Sequence, residues 1–294
     1  MSLPPVYLVD ASVYLFRAWF SMPNEFISTQ GEPTNAAYGF AGFLCSLLEQ
    51  TSSRHMAVAF DESLNTSYRN EIYPPYKANR DPAPAELKRQ FQWARSIAEC
   101  MGLSCFADAR FEADDLIGTL AEYWRARGHP VCVVTSDKDL AQLVRDGDTW
   151  WDFSRNQKLG HRQLNEKFGV KPEQMADFLA LAGDAVDNIP GIPGVGPKSA
   201  VALLKHFGDL DTLYARVAEV PYLSIRGAKS LHGKLLEHRD KAELARQLTL
   251  IRTDVPSALA APELTRNQVD TASLNRLFDQ LQFGGMLRQR CLRA

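Results

Sequence analysis

Apolar and polar positions alternate along the first 160 residues in a way that predicts an α/β fold. Short apolar runs, typical of strands buried on both faces, occupy residues 6–10, 56–60, 103–106, 131–135 and 148–153. Between them, apolar residues recur at helical spacing over 11–20, 34–50, 84–100 and 112–127. Strands that alternate with helices favour a mainly parallel central sheet with helices on both faces.

The pattern changes after residue 160, where helical spacing covers 171–181 and 201–207. Between these segments, Gly191, Gly194 and Gly196 lie shortly before a helix and are followed by Lys198 and Ser199. Glycines there let the backbone approach a phosphate closely, and the helix N-terminus offers N–H donors to it. A Walker A loop needs a different spacing, and a dinucleotide fingerprint needs a preceding strand. A helix-hairpin-helix that grips a DNA backbone therefore fits best.

The bulk composition is that of an ordinary globular protein, with 294 residues of which 45% are hydrophobic and 23% charged. Five cysteines without a C-x-x-C pair argue against a zinc site or a disulfide framework and favour a reducing cytoplasm. The chain shows neither a signal-peptide pattern nor an apolar run of about 18 residues. We therefore expect no membrane association.

Charge is distributed unevenly, which indicates local rather than global nucleic-acid surfaces. The net charge is −2, yet residues 194–252 carry ten Lys and Arg against six Asp and Glu. This local excess suits contact with a duplex. Residues 66–99 carry six Lys and Arg against four acids, interleaved with aromatic residues such as Tyr73 and Tyr76. Taken alone, that second segment is explained more simply by a solvated amphipathic helix after a proline-rich loop.

Acidic residues follow three of the predicted strands and also begin one helix. They are Asp10, Asp61, Glu112, Asp114, Asp115, Asp137 and Asp139. Right-handed crossovers bring the carboxyl ends of parallel strands to one sheet edge, so these side chains should lie together. Helix capping would account for one or two of them, but three acids within four residues repel one another unless a cation is present. A metal site is the better interpretation, and Asp184 and Asp187 are placed to reach it.

Together these residues resemble the bacterial 5′-nuclease (flap endonuclease-like) family, which includes the N-terminal 5′–3′ exonuclease domain of DNA polymerase I. The resemblance covers roughly residues 5–255. It rests on Leu8-Val-Asp-Ala-Ser12, Phe60-Asp61, Tyr76-Lys-Ala-Asn-Arg80, Glu112-Ala-Asp-Asp115, Asp137-Lys-Asp139 and Gly183-Asp-Ala-Val-Asp-Asn-Ile-Pro-Gly191. The chain departs from the family pattern at Asp81, where proline often follows the arginine of the third motif.

The resemblance implies two divalent ions, Mg²⁺ with Mn²⁺ as a substitute, beneath a basic gate. The implied metal ligands are Asp10, Asp61, Glu112, Asp114, Asp115, Asp137, Asp139, Asp184 and Asp187. The implied catalytic residues are Lys77, Arg80 and Asp114, with the two cations at the scissile phosphate. DNA contacts are expected from Arg17, Arg69, Tyr76, Lys77, Arg80, Gly191, Gly194, Gly196, Lys198 and Ser199. A potassium ion is expected on the carbonyls of Leu181, Ala182, Pro190, Ile192 and Val195.

The implied activity is two-metal hydrolysis of phosphodiester bonds in DNA with 5′ flaps, nicks or branches, as a 5′–3′ exonuclease or flap endonuclease. We expect a cytoplasmic monomer with a functional link to a DNA polymerase. The implied organisation is a nuclease core over 1–170 with the gate at about 66–100, a helix-hairpin-helix subdomain over 171–255, and a tail over 256–294 that packs on the body.

Two other functions remain open from the sequence. A branched-DNA-binding protein with a vestigial site would bind in a salt-sensitive way without a Mg²⁺-dependent product. A PIN-type ribonuclease would share the acids at the strand ends, although the glycine-rich hairpin argues against it.

Overall fold

A six-stranded sheet forms the centre of the computed structural model, which describes residues 3–51, 54–62 and 67–294. The first two residues of the predicted core and the predicted start of the gate at residue 66 lie outside this description. The described strands are β1 (Val6–Asp10), β2 (Met56–Asp61), β3 (Ser104–Asp108), β4 (Val131–Val134), β5 (Thr149–Asp152) and β6 (Gln157–Leu159).

The strand order is β3-β2-β1-β4-β5-β6, and all neighbouring pairs are parallel except β5 and β6. The predicted mainly parallel sheet is therefore confirmed. The pattern did not predict β6, because its three residues are polar or partly exposed and form no apolar run. β6 instead pairs with β5 as an antiparallel edge strand.

Helices cover both faces of the sheet and form the C-terminal part of the chain. In the described residues they are α1 (Ala11–Ser21), α2 (Asn35–Gln50), α3 (Tyr68–Ile72), α4 (Ala85–Cys100), α5 (Ala113–Arg125), α6 (His161–Phe168), α7 (Met175–Ala182), α8 (Pro197–Phe207), α9 (Leu210–Ala215), α10 (Ala228–Glu237), α11 (Arg239–Thr249), α12 (Pro256–Ala260), α13 (Thr271–Gln280) and α14 (Gly285–Arg293). None of these helices is long and apolar enough to cross a membrane.

Three buried clusters hold these layers together. On one face of the sheet, α1, α2, α4, α13 and α14 share a core that includes Phe40, Leu44 and Phe278. On the other face, α5 packs with the segment that contains Ile251 and α12. A separate cluster joins α7, α8, α9, α10 and α11. The expected helices on both faces of the sheet are thus confirmed.

Two helix boundaries in the C-terminal part differ from the prediction. The predicted helix over 171–181 is a 3₁₀ turn, Pro172–Gln174, followed by α7. The helix predicted from residue 201 begins four residues earlier, at Pro197. Proline suits the first helical position because its φ is already helical and the N–H it lacks would be unpaired there. Lys198 and Ser199 therefore lie in the first turn of α8 rather than in the loop before it.

Candidate active site

The carboxyl ends of β1 and β2 place two aspartates at one edge of the sheet. Asp10 is 4% exposed, caps α1 through the Val13 N–H, and accepts a 2.9 Å hydrogen bond from Thr135 Oγ1. Asp61 accepts hydrogen bonds from Ser12 Oγ at 2.6 Å and from the Ala113 N–H at 2.9 Å. The latter bond ties the end of β2 to the first turn of α5.

The first turn of α5 brings further carboxylates to the same edge. Glu112 is the N-cap of α5, and its own N–H donates to Asp115 Oδ2 at 3.2 Å. Burial raises the pKa of Asp114 well above its usual range, and the charges of Asp137, Asp10 and Asp61 raise it further. Asp114 therefore faces the acids that follow β1, β2 and β4.

A second group of acids surrounds the turn after β4. Burial raises the pKa of Asp139 to about 8, and Asp137 is the strongest of the nearby charges that add to this rise. Asp184 and Asp187 raise it further, so the late aspartate pair does reach the sheet edge. Burial likewise raises the pKa of Asp10 to about 7, with Asp61 and Asp137 contributing. Asp137 thus couples electrostatically to both groups of acids.

Three cations of the chain itself lie among these acids. Lys77 Nζ is 2.9 Å from Glu112 Oε2 and 3.8 Å from Asp187 Oδ2. Arg80 pairs with Asp187, and Lys138 Nζ is 3.0 Å from Asp184 Oδ2. Burial raises the pKa of Glu112, but Lys77 and Arg69 outweigh burial and lower it to about 2. Among the ion pairs of the described residues, the implied ligands without a cationic partner are Asp10, Asp61, Asp114, Asp137 and Asp139.

The donor set at this sheet edge consists of carboxylate oxygens, which fits divalent ions. Across residues 3–51, 54–62 and 67–294, no three acidic, His or Cys side chains converge tightly enough to hold a metal ion as they stand. Glu112 Oε1 and Asp139 Oδ1 are nevertheless buried without a hydrogen-bond partner in the described part of the chain. Buried carboxylate oxygens of this kind suit hard cations such as Mg²⁺.

The structure corrects the assignments of Asp115 and Arg69. Asp115 is fully buried, and Arg69 donates to both of its oxygens at 2.7 and 2.8 Å. The Arg252 N–H adds a third donor at 2.9 Å. Both oxygens of Asp115 thus already accept hydrogen bonds, which compete with direct metal ligation. Arg69 is 2% exposed and joins α3 to α5 instead of presenting its guanidinium at the surface.

Tyr76 is also placed differently from the expectation. It is 4% exposed, and its hydroxyl donates to Glu112 Oε2 at 3.1 Å. Tyr76 therefore supports Glu112 through this hydrogen bond, and its buried ring is not accessible to a DNA strand. Arg17, by contrast, is exposed on α1, about two turns beyond Asp10.

A cleft of about 500 Å³ opens beside the acids, between α4 and the segment that carries Lys77 and Arg80. Phe16 and Phe91 line it together with Lys88 and Arg95. Cations interleaved with aromatic rings suit a single nucleic-acid strand. Asp81 also lines this cleft, so the departure from the family pattern lies where a strand would pass.

The glycine-rich hairpin between α7 and α8 is tightly closed. A Cβ on Gly191 would lie 2.4 Å from the backbone of the preceding residues 182 and 183, so only glycine fits there. Gly194 has φ 82° and lies against the Lys234 ammonium, a cation that the sequence did not single out. Gly196 and Lys198 are exposed at the start of α8. Among the implied potassium ligands, the Leu181 and Ile192 carbonyls already accept hydrogen bonds from the N–H groups of Ile192 and Val195.

Sequence reasoning gave no site role to three residues that contact the acids: Ser12, Thr135 and Lys138. Lys138 pairs with Asp184, and its position between Asp137 and Asp139 was a usable signal. Thr135 holds Asp10 through its hydroxyl, and it directly follows the last residue of β4. The strand-end position that singled out the acids applies equally to a polar residue there, so Thr135 could have been predicted as part of the site.

Comparison with known proteins gives the class of this fold and site. A family model described as "5'-3' exonuclease, N-terminal resolvase-like domain" matches residues 5–169, and one described as "5'-3' exonuclease, C-terminal SAM fold" matches residues 170–272. The chain belongs to the 5′-3′ exonuclease family.

Individual relatives agree with this assignment. The "5'-3' exonuclease" of Buchnera aphidicola subsp. Schizaphis graminum is 34% identical over 95% of this chain and 97% of its own length. The DNA polymerase I of Pseudomonas aeruginosa is 42% identical over 98% of this chain, which spans 31% of that protein.

Solved structures share the fold. A zinc-bound T5 5′-exonuclease superposes with a TM-score of 0.70 at 21% identity, over 94% of this chain and 99% of its own. The catalytic core of Rad2 in complex with a DNA substrate gives 0.63 at 15% identity, over 98% of this chain and 91% of its own.

Proposed function

We propose that this chain is a divalent-metal-dependent 5′–3′ exonuclease and 5′-flap endonuclease that hydrolyses phosphodiester bonds in nicked or branched DNA. The observation that carries the proposal is the meeting of acids from β1, β2, β4, α5 and the turn after α7 at one sheet edge. Family membership and the relatives whose names describe a 5′-3′ exonuclease support it.

The residues divide into two sets that would hold two ions. Asp10, Asp61, Glu112 and Asp114 form the first set, and Asp137, Asp139, Asp184 and Asp187 form the second. Bound divalent ions supply Lewis acidity toward water and the phosphate, and an all-oxygen donor set favours Mg²⁺, with Mn²⁺ as a substitute.

The internal cations have a second task in this proposal. Lys77 and Arg80 neutralise Glu112 and Asp187, two residues that would hold an ion. The same two cations would contact the scissile phosphate and stabilise the charge that develops there. Tyr76 keeps its hydrogen bond to Glu112 and so fixes the floor of the site.

The hairpin and the cleft would hold the DNA. Gly194, Gly196 and the first turn of α8 admit a duplex phosphate, with Lys198 adding a charge-assisted contact and a potassium ion on the nearby carbonyls completing the grip. Arg17 and the cleft beside α4 would steer the single strand. Solved neighbours bound to DNA support this substrate class. We infer a cytoplasmic monomer that works alongside a DNA polymerase.

A single assay tests this function against its alternatives. The protein is incubated with a 5′-flap DNA or a matched RNA, each with Mg²⁺ or EDTA, and the products are sized from the 5′ end. We expect the DNA to be cut in Mg²⁺ only. Salt-sensitive binding without a Mg²⁺-dependent product would instead identify a DNA-binding protein, and preferred cleavage of the RNA would identify a PIN-type ribonuclease.

A further inference from the structure

Two turns that carry the functional residues are docked on each other. We call residues 73–80 the gate turn and residues 184–189 the acid turn. Three hydrogen bonds join them: Lys77 N–H to the Asp187 carbonyl at 3.0 Å, Asn188 Nδ2 to the Pro75 carbonyl at 2.7 Å, and Asn79 Nδ2 to the Ala185 carbonyl at 2.9 Å. Each turn thus donates one asparagine amide to a carbonyl of the other turn.

The backbone at this contact is held in an unusual conformation. Lys77 has φ 55° and Asn188 has φ 56°, both in the left-handed region. Asparagine tolerates that region, whereas lysine adopts it only when the surroundings impose it. The Lys77 N–H bond to the acid turn is one such restraint, and the two asparagine bonds hold the residues on either side of Lys77.

The orientation of the gate cations depends on this docking. Lys77 and Arg80 lie on the gate turn and reach Glu112 and Asp187 from it. The acid turn leads directly into the glycine-rich hairpin, since it ends two residues before Gly191. The three bonds therefore connect the gate cations to the segment that enters the hairpin.

We propose that Asn79 and Asn188 are positioning residues that fix Lys77 and Arg80 over the acids and in register with the duplex-gripping hairpin. The inference rests on the proposed nuclease function. Both amides donate to a carbonyl of the opposite turn, so both act through the cations. Misplacing a catalytic group by about 1 Å can cost about 100-fold in rate.

The chain offers a close control for the test. Asn188→Gly removes the amide and keeps the left-handed backbone accessible. Asn156→Gly makes the same change at another left-handed asparagine, φ 49°, which lies between β5 and β6 outside both turns. Asn79→Ala tests the second amide without altering a left-handed residue.

Cleavage kinetics and amide exchange are measured together on the full chain. With a 5′-flap DNA and Mg²⁺, Asn188→Gly should lower kcat about 10- to 100-fold with KM changed less than about twofold, and Asn79→Ala should act in the same direction. Asn156→Gly should match wild type. In the Arg80→Ala background, Asn188→Gly should lower kcat by a smaller factor than in wild type, because one of the two cations it positions is gone.

Hydrogen exchange of the gate turn in metal-free, DNA-free protein gives a readout that does not depend on activity. Asn188→Gly should speed exchange of the Lys77 amide, and Asn156→Gly should not. Equal exchange and equal kcat in Asn188→Gly and Asn156→Gly, or full additivity with Arg80→Ala, would overturn the inference. If wild type fails to cleave, the proposed function falls, while the exchange comparison still decides whether the asparagines hold Lys77.

Discussion

Replacing Arg69 by alanine should destabilise the whole protein, even though the sequence assigned this residue to DNA. Its guanidinium donates to Asp115 at 2.7 and 2.8 Å and to the Leu248 carbonyl at 2.7 Å. Arg69 is 2% exposed and Asp115 is fully buried. The change therefore leaves a buried carboxylate at the start of α5 without its cation.

The size of the effect follows from what remains around Asp115. Breaking a buried ion pair by removing one partner costs about 3–5 kcal/mol. The N–H groups of Glu112 and Arg252 still donate to Asp115, so we expect the lower end, about 3 kcal/mol. That is a large part of a total stability of about 5–15 kcal/mol.

Urea unfolding followed by circular dichroism measures this loss. Arg110→Ala is the control, because Arg110 forms an ion pair with Glu71 at 2.9 Å in which both side chains are about 60% exposed. That pair should contribute almost nothing, so the urea midpoint of Arg110→Ala should match wild type. If Arg69→Ala keeps the wild-type midpoint but weakens DNA binding, the structural role is wrong and the DNA contact is right.

Three further predictions concern the acids and the hairpin. Asp114→Ala should slow Mg²⁺-dependent cleavage at least about 100-fold; duplex binding in EDTA should persist, and a normal cleavage rate would rule out this site. Folded-state pKa values of about 7 for Asp10 and about 8 for Asp139 mean that their contribution to stability is present below about pH 4 and lost as pH rises through 7 and 8. Millimolar Mg²⁺ should therefore raise the melting temperature more at pH 8 than at pH 6, and equal shifts would contradict this account. Gly191→Ala should lower the melting temperature because its Cβ would meet backbone at 2.4 Å. Gly196→Ala, whose Cβ meets no atom within 4 Å in the described chain, should keep the melting temperature and weaken duplex binding in a gel-shift assay.

The shared position of the acids at the strand ends was predictable because it depends only on the direction of each strand. Asp10 and Asp61 end β1 and β2, which are parallel neighbours. Once a parallel sheet is inferred from the apolar runs, both side chains must lie at the same edge. The register of the strands and the identity of the covering helices are not needed for this conclusion.

The orientation of Asp115 was not predictable in this way. Asp114 and Asp115 are adjacent in one helical turn and point about 100° apart, so at most one of them faces the sheet edge directly. Which one does so depends on what covers the other side of α5. The cover is Arg69 on α3 and the backbone of Arg252, which lie 46 and 137 residues away in sequence. Local pattern carries no information about such distant partners.

The segment after residue 256 shows the same limit for the fold. The sequence predicts only that this tail packs on the body, although Leu274 and Phe278 are four residues apart and fully buried on one face of α13. The docking site of α13 was not predictable, because the apolar residues of α4 that receive it could equally form a core with other neighbours. Which of several apolar faces a helix packs against depends on the whole chain.

The dense charge at the sheet edge required a cation in the sequence argument, and the structure shows that the chain itself supplies some. Lys77 pairs with Glu112 and Asp187, Arg80 pairs with Asp187, and Lys138 pairs with Asp184. Asp10, Asp114 and Asp139 receive no such partner among the ion pairs of the described residues, and their pKa values rise instead, first through burial. Internal cations thus neutralise part of this charge, and burial favours the protonated form of other carboxylates. Lys77 and Arg80 pair with residues that would hold the ions and are also the residues proposed to contact the phosphate, so metal and DNA should favour each other's binding through these side chains.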